Sequence, residues 1–330
     1  IYLEGERVAD VTTHPHFARM AQTLAKVYDL QHNPKYTDEM TFTSPSSGEP
    51  VALSYIIPQD YADLARRHRA LEIIADEVHG MLGRTPDYVN VQVTAARQMA
   101  AEFSANDPRL GDNLIKYHEY IRENDLCLTH AFGHPQVNRG VALTELPDPY
   151  VATGIVEATD DGLIVRGAKL LATLAPFADE LFCPPYRPAR ADENIFCLGF
   201  SIPVATPGLK MICRSSFDSG KPLYDAPLAG QYDELDALVV FDDVLVPWDR
   251  VFSYDDVELH NRLVASVPMW RQYMQQVMLR SVAKLEFIVG IGKELTEAIG
   301  IGGFAHIQEK MAELIDTTET VRAYLRAAEA

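Results

Sequence analysis

Long apolar runs are missing from this chain of 330 residues, and no window approaches the roughly eighteen consecutive apolar residues that a membrane helix requires. The first residues also lack the basic and then apolar pattern of a secretory signal peptide. Basic residues are scarce, with 29 Lys and Arg against 47 Asp and Glu. The resulting net charge of −18 disfavours a nucleic-acid or anionic-membrane partner. We therefore expect a cytoplasmic protein.

Cysteine is also sparse, and its four copies never form the C-x-x-C pair of redox, zinc or iron–sulfur sites. Reduced, buried thiols explain them better than a disulfide framework. His130 and His134 have the i, i+4 spacing of metal ligands, but Gly133 and Pro135 disfavour a helix between them. No metal site is predicted. The G-x-S-x-G, Walker and H-E-x-x-H motifs are absent as well.

Hydrophobic periodicity divides the chain into three parts. Apolar residues at three-four spacing predict helices in the first third, at about 15–30, 58–83 and 107–121. Beyond Asp125, short alternating and β-branched runs predict strands at 151–158, 163–165, 181–183, 195–202, 209–213 and 237–241. After Pro247 the helical period returns in two long helices.

This order predicts an α+β fold with three domains: a mainly helical domain over 1–124, a β domain over 125–255 and the start of a helical bundle over 256–330. The apolar stripes of the last two helices are wider than one helix pair can bury. We expect the bundle to be completed by further sequence or by other subunits, and Ala330 not to be the natural end.

Two polar clusters remain as candidates for chemistry. The first is 84–88, where Arg84 and Tyr88 offer directional donors for an anionic or phenolic oxygen. Its alternative is a capped surface turn in which Arg84 pairs with Asp87. The second is 128–139, a strand running into a loop that supplies imidazole, amide and guanidinium groups suited to a polar heterocycle and an anion.

Several motifs then occur together and in order. They are Arg-Thr-Pro-Asp-Tyr at 84–88, Thr-His-Ala at 129–131, Pro-Gln-Val-Asn-Arg at 135–139, Gly-Ala-Lys at 167–169, Ala-Thr-Leu-Ala-Pro at 172–176 and Phe-Asp-Asp-Val-Leu-Val-Pro-Trp at 241–248. The segments 2–8 and 11–15 belong to the same pattern. The chain resembles, over nearly its whole length, the oxygenase components of the 4-hydroxyphenylacetate 3-monooxygenase family, which are two-component phenol hydroxylases that use reduced FAD.

The resemblance implies an acyl-CoA-dehydrogenase-like fold with a helical N-terminal domain, a central β-barrel and a C-terminal bundle that builds a homotetramer. It implies that Arg84, Tyr88 and His130 bind the phenolic oxygen of the substrate. The flavin-binding positions that it implies are His130, Ala131, Gln136, Arg139 and Thr173. Thr173 would contact the flavin near N5.

The activity implied is ortho-hydroxylation of a phenol, 4-hydroxyphenylacetate or a similar compound, to a catechol in the catabolism of aromatic compounds. O₂ and FADH₂ would give a flavin C4a-hydroperoxide, and a separate NADH:flavin reductase would supply the FADH₂. Donors at the phenol oxygen would raise electron density at the ortho carbon. His130 would be the base, since an ordinary histidine pKa lies near working pH.

Two departures from the family pattern bear on substrate choice: His134 and Asn138 stand where Asn and Asp are expected. The loop 184–190 would line the ring pocket, and phenol or chlorophenol hydroxylation within the same family stays an alternative. Rival functions are an acyl-CoA-dehydrogenase-like flavoprotein, a 4-hydroxybutyryl-CoA dehydratase and a non-catalytic binding protein. No cysteine precedes Cys127, which opposes the dehydratase because that enzyme needs an iron–sulfur cluster.

Overall fold

The first third of the molecule is mainly helical. The computed structural model describes residues 1–218 and 220–330. The helices of the first third are α1 (Ala18–Asp29), α2 (Thr37–Met40), α3 (Tyr61–Glu77), α4 (Pro86–Gln98), α5 (Ala100–Phe103) and α6 (Pro108–Glu123). Asp60 and Asp107 cap α3 and α6, each accepting a hydrogen bond from a backbone N–H of the first turn. The three predicted helices are found, α1 and α3 with shorter bounds and α6 ending two residues later than predicted.

Helix α4 was not predicted from the sequence, which offered a capped turn at 84–88 only as an alternative. Pro86 begins the helix, and every residue from 86 to 96 is buried. A helix that is buried on all sides shows no apolar stripe, because polar residues such as Asn90 and Gln92 are enclosed together with the valines. The periodicity that revealed the other helices is therefore missing from α4.

The strands form two larger sheets and one hairpin. Their bounds are β1 (Tyr2–Leu3), β2 (Glu6–Arg7), β3 (Thr41–Thr43), β4 (Pro50–Ala52), β5 (Leu128–His130), β6 (Gly154–Ala158), β7 (Gly162–Ala172), β8 (Glu180–Cys183), β9 (Leu198–Pro203), β10 (Leu209–Cys213), β11 (Ala237–Pro247) and β12 (Val251–Tyr254). One sheet has the order β2-β1-β10-β11-β7-β6, and the other has the order β12-β9-β8-β5. β1 pairs with β10 in parallel, so residues of the predicted helical domain join the central sheet.

The two sheets pack face to face over a shared apolar core. Phe200 of β9 meets Phe241 of β11 edge to face, with ring centroids 5.7 Å apart. At one corner, Gly133 and Leu170 exchange two backbone hydrogen bonds of 2.7 and 2.8 Å, which fix the segment after β5 against β7. Within the described residues the strands form open sheets, so the expected closed barrel is not confirmed.

The C-terminal region is helical, as predicted, and consists of α7 (Val257–Val264), α8 (Val267–Ala298) and α9 (Ala305–Glu329). Helix α8 packs on α3 and α4 as well as on α9. It passes so close to Gly80 that a Cβ there would lie 2.4 Å from the carbonyl oxygen of Arg280. No helix in the described part of the chain is long and apolar enough to cross a bilayer.

Candidate active site

Three of the predicted site residues meet where α4 begins and β5 ends. Tyr88 lies in the first turn of α4, and His130 is the last residue of β5. Their ring centroids are 5.4 Å apart, and the Arg84 guanidinium carbon lies 4.1 Å from the centroid of the Tyr88 ring. Residues 46 positions apart in the chain therefore form one cluster.

Arg84 is not part of a surface turn paired with Asp87, so the alternative considered for 84–88 is wrong. Asp87 is buried under α8, and burial raises the pKa of its carboxyl group to about 6. Thr85 and Gln276 are close enough to lower that pKa in part, but neither forms a hydrogen bond of good geometry with it. The Arg84 guanidinium donates to the Gly83 carbonyl oxygen at 2.8 Å, and no carboxylate of the described residues forms a salt bridge with it.

Aromatic side chains build the walls around this cluster. Phe132 stacks on His130 at a centroid distance of 4.0 Å and on Tyr186 at 5.1 Å. On the other side, Tyr273 of α8 meets Tyr88 edge to face at 5.7 Å, and Trp270 lies 5.4 Å from Tyr273. The loop 184–190 thus contributes Tyr186, as expected for a ring pocket.

The contribution of α8 was missed from the sequence. Trp270 and Tyr273 occupy ordinary positions of a long helical stripe, and a stripe of this kind is more often part of the core than of a site. Nothing local distinguishes these two aromatic residues. Only the packing of α8 across α4 brings them to Tyr88.

The protonation state of His130 differs from the expectation that its pKa lies near working pH. Burial, helped by the positive charge of Arg84, lowers the pKa of His130 to about 3. Both ring nitrogens of His130 are buried without a hydrogen-bond partner among the described residues. The prediction that the His130 pKa lies near working pH is wrong, and a neutral imidazole faces the site. Burial raises the pKa of Tyr88, which keeps its hydroxyl protonated as a donor.

A carboxyl group outside the aromatic cluster holds the backbone at Arg84. Glu234 Oε1 accepts a hydrogen bond from the Arg84 backbone N–H at 2.7 Å. Burial raises the pKa of Glu234 to about 7. Arg280 of α8 is partly buried nearby, and burial together with the charge of Arg84 lowers its pKa. Neither Glu234 nor Arg280 was predicted, since no motif marks them.

The residues expected to hold flavin lie along β5, β7 and the segment that follows β5. Ala131 is buried, and its N–H donates to the Phe182 carbonyl oxygen at 3.1 Å. The Thr129 hydroxyl donates to the Thr173 carbonyl oxygen at 2.6 Å, which places Thr173 beside the end of β5. The structure thus brings His130, Ala131 and Thr173 together.

Gln136 and Arg139 lie farther along, beyond the corner where Gly133 pairs with Leu170. Arg139 and Gln136 are both exposed. Neither side chain forms a hydrogen bond or salt bridge within residues 1–218 and 220–330, and none joins them to His130 or Thr173. Their amide and guanidinium groups are free to bind a ligand along this edge.

His134, one of the two departures, lies in a buried polar cluster behind Phe132. Burial, with smaller effects of Lys169 and Arg187, lowers the pKa of His134 to about 2. Lys169 is buried and donates to the Phe132 carbonyl oxygen at 3.2 Å. Asn138 is exposed and accepts a hydrogen bond from the Gly140 N–H. Among the described residues, no group of three or more His, Cys, Asp or Glu side chains is arranged to hold a metal ion.

Comparison with known proteins gives consistent matches over the chain. The N-terminal pattern of 4-hydroxyphenylacetate 3-hydroxylase matches residues 1–253, and the C-terminal pattern matches residues 260–330. The chain is 40% identical to the 4-hydroxyphenylacetate 3-monooxygenase oxygenase component of Thermus thermophilus, over 100% of this chain and 67% of that protein. It spans about two thirds of the length of that relative.

Solved structures agree. The crystal structure of an oxygenase component (HpaB) of 4-hydroxyphenylacetate 3-monooxygenase, complexed with FAD and 4-hydroxyphenylacetate, superposes with a TM-score of 0.94 at 40% identity and covers 99% of this chain and 67% of that one. A 4-hydroxybutyryl-CoA dehydratase from N. maritimus has a TM-score of 0.87 at 19% identity, covers 99% of this chain and 65% of that one, and shows a shared fold alone. The family predicted from the sequence is confirmed: the chain belongs to the 4-hydroxyphenylacetate 3-hydroxylase family.

Proposed function

We propose that the chain is the oxygenase component of a two-component monooxygenase that converts a phenol, 4-hydroxyphenylacetate or a close analogue, into a catechol with reduced FAD and O₂. One observation carries the proposal. Arg84, Tyr88 and the unpartnered nitrogens of His130 converge inside aromatic walls. Such a site binds a flat ring and leaves donors for one oxygen.

The residues present fit FAD. The buried His130 nitrogens lack partners, and the side chains of Gln136 and Arg139 are unpaired within the described residues. Apolar surface is exposed beside them, with Leu171 at 50% and Val137 at 66% exposure. We propose that His130, Ala131, Gln136, Arg139 and Thr173 hold the flavin. When bound, reduced FAD supplies the oxygen activation that no side chain provides.

The protein's own contribution is to bind and polarise the phenol. The protonated Tyr88 hydroxyl and the Arg84 guanidinium donate to the phenolic oxygen, and the neutral His130 ring accepts a hydrogen bond from the phenol hydroxyl at its free nitrogen. Negative charge that develops on the oxygen is stabilised by Arg84 and spreads to the ortho carbon of the ring. The chain thereby prepares that carbon for attack on an electrophilic oxygen.

Exclusion of water is the second contribution. Tyr273 is buried and packs on Trp270, and Trp270 lies 6.3 Å from Tyr186 between ring centroids, so α8 and the loop 184–190 close one continuous aromatic wall with Phe132. A dry site prevents the loss of activated oxygen as hydrogen peroxide and holds the ring in one orientation. The regiochemistry of the product follows from that orientation.

The partners follow from the reaction. A separate NADH:flavin reductase supplies FADH₂, and NADH acts only through it. We propose that 1–124, 125–255 and 256–330 act as helical, central flavin and bundle domains, that the two packed sheets take the place of the family's central barrel, and that the protein works as a homotetramer. Exposed apolar residues on α8 and α9 support the last point.

The test measures product and by-product together. The chain is combined with an NADH:flavin reductase, FAD and 4-hydroxyphenylacetate, and catechol and hydrogen peroxide are quantified. We expect catechol from the unaltered protein and peroxide without catechol from Arg84→Ala and His130→Ala. Arg66→Ala and His306→Ala, which remove exposed side chains of α3 and α9, serve as matched controls and should retain catechol formation.

Other results have definite meanings. Peroxide without catechol for every phenol tried, chlorophenols included, would refute a phenol substrate while leaving the flavin reaction intact. Absence of any flavin-dependent oxygen consumption would refute the monooxygenase proposal.

A further inference from the structure

The hydroxyl group of Thr173 is held by a carboxylate. Its Oγ1 donates to Asp236 Oδ1 at 2.7 Å, while the Thr173 carbonyl oxygen accepts from the Thr129 hydroxyl. Thr173 is half-buried, and it directly follows β7. The hydroxyl is therefore fixed from within the protein, and the half-buried side chain keeps part of its surface exposed.

Asp236 is itself held in an ion pair. Its second oxygen, Oδ2, accepts from Arg214 Nε at 3.2 Å, and the same guanidinium donates to Asp233 Oδ1 at 2.6 Å. An ionised carboxylate offers only acceptors, so the proton of the Thr173 hydroxyl must point towards Asp236. A hydroxyl has a single proton. Towards the ligand, Thr173 Oγ1 can therefore present lone pairs only.

We propose that Asp236 is a positioning residue that makes the flavin site prefer reduced to oxidised FAD, an inference that rests on the proposed contact between Thr173 and the flavin near N5. The reduced isoalloxazine carries a hydrogen on N5, whereas the oxidised ring has a lone pair there. A hydroxyl that can only accept forms a hydrogen bond with the first and faces the second with lone pair against lone pair.

A preference for reduced over oxidised FAD suits a two-component enzyme. The chain has to capture FADH₂ delivered by the reductase and to release FAD after turnover. A hydroxyl with a fixed direction makes capture and release depend on the redox state of the ring itself. No movement of the protein is required.

The experiment compares two dissociation constants. The chain is titrated with FAD in air and with photoreduced FAD under anaerobic conditions, and binding is followed by flavin absorbance and fluorescence. One hydrogen bond gained or lost corresponds to about tenfold in affinity, so we expect reduced FAD to bind the unaltered protein at least about tenfold more tightly.

Asp236→Asn is expected to reduce that ratio by about tenfold or more. The amide oxygen of Asn stays towards the Arg214 donor, so its NH₂ group donates to Thr173 Oγ1 and frees the hydroxyl proton for an acceptor on the ligand. Loss of a negative charge acts in the opposite direction, because it favours the anionic form of reduced flavin. A fall in the ratio therefore identifies the hydrogen bond and not the charge.

Two further variants complete the design. Asp243→Asn breaks a comparable but exposed pair with Arg166, in which both oxygens accept at 2.7 Å, and should leave the ratio unchanged. Thr173→Val removes the hydroxyl, keeps the Asp236–Arg214 pair and should bring the ratio close to one. This variant decides the question if Asp236→Asn fails to fold, which circular dichroism would reveal.

A ratio unchanged in both Asp236→Asn and Thr173→Val would overturn the inference and leave the proposed function standing. Failure of the unaltered chain to bind either redox state would overturn the proposed flavin site, and this inference with it.

Discussion

At the scale of single residues, the proposed phenol-binding end depends on a few groups that have no hydrogen-bond partner among the described residues. The Tyr88 hydroxyl is protonated, lies in the first turn of a buried helix and forms no hydrogen bond with the described residues. It is free to donate to a substrate oxygen. The prediction that follows is specific because removal of one oxygen atom leaves the packing intact.

Tyr88→Phe should lower kcat/KM for the phenol by about ten- to a hundredfold, since a hydrogen bond to a developing charge is worth about 1.5 to 3 kcal/mol. Flavin affinity should not change. Steady-state kinetics and a flavin titration measure the two effects. Tyr61→Phe, on an exposed ring of α3, is the matched control. Equal kinetics in the two variants would show that Tyr88 does not contact the substrate.

Asp87 gives a prediction about pH. Its pKa is raised to about 6, so the folded state binds the proton more tightly than the unfolded chain does, and this residue makes stability fall as pH rises from about 4 to 6. Asp87→Asn removes the titration. The free energy of unfolding of the variant, relative to that of the unaltered protein, should be about 2 kcal/mol larger at pH 8 than at pH 4.5.

Urea unfolding at the two pH values measures this difference. Asp112→Asn, which changes an exposed carboxylate on α6, should show no such dependence. A constant difference between Asp87→Asn and the unaltered protein at both pH values would show that Asp87 does not titrate as a buried acid.

At the scale of elements, the placement of α8 decides the shape of the site, and Gly80 sets how closely α8 approaches the end of α3. Gly80 has a φ of 61°, and a Cβ would clash with the backbone of α8. Gly80→Ala should destabilise the fold by roughly 2 to 4 kcal/mol through strain and overpacking together. Gly48→Ala is the control, since Gly48 also has a positive φ, of 78°, but open space around it.

Thermal or urea unfolding of the two glycine variants separates their effects. The Gly48→Ala variant should lose only the stability that corresponds to the strain of a positive φ at alanine, about 1 to 2 kcal/mol. Similar losses for both variants would mean that α8 is not held against Gly80.

The end of α9 is tied to α3 by a contact that depends on pH. His68 Nδ1 contacts Glu329 Oε1 at 2.8 Å, and this hydrogen bond raises the pKa of His68. A raised histidine pKa gives stability that is present below about pH 6.5 and is lost as pH rises through the folded-state value. Amide exchange near the end of α9, corrected for intrinsic rates, should be faster at pH 8 than at pH 6.

His68→Gln should abolish that difference. Glu297→Gln, which breaks an exposed pair with Lys293, should retain it. Exchange rates that do not depend on pH in the unaltered chain would contradict a charged contact between His68 and Glu329.

The elements also show how far sequence reasoning reaches. Amphipathic helices and alternating strands were predicted because one face of each meets water, and the bounds of β10 were predicted correctly at 209–213. Helix α4 was not, since it is buried all round. Arg84, Tyr88 and His130 were found through short motifs, whereas Trp270 and Glu234 approach the site only through packing between distant segments, which no local pattern records.

At the scale of the whole molecule, exposed apolar side chains are concentrated on the outer faces of α8 and α9 and on the turn between them. They include Leu295 at 62%, Ile299 at 69% and Phe304 at 56% exposure. A net charge of −18 opposes contact between copies, and salt screens that repulsion. We expect self-association through these faces that strengthens between 20 mM and 500 mM salt.

Sedimentation velocity measures the assembly. The pair Leu295→Lys and Phe304→Lys should leave a species near 36.8 kDa at both salt concentrations. Substitution of the exposed Tyr224, which is far from α8 in the chain, by Lys is the control. Unchanged assembly of the α8–α9 double variant would place the interface elsewhere.

Helix α4 is enclosed on every side, while the far walls of the ring pocket come from an irregular loop and from α8. Tyr88, which is proposed to contact the phenol oxygen, is therefore buried, whereas the residues proposed to contact the rest of the ring lie on a loop and on α8. A change at Tyr88 disturbs the core, whereas a change at the exposed Tyr186 costs little stability. We therefore expect substitutions at Tyr186 and Trp270 to change the ring substituent that is accepted while leaving the proposed contacts to the phenol oxygen in place, so directed evolution of new substrates should begin at these two residues.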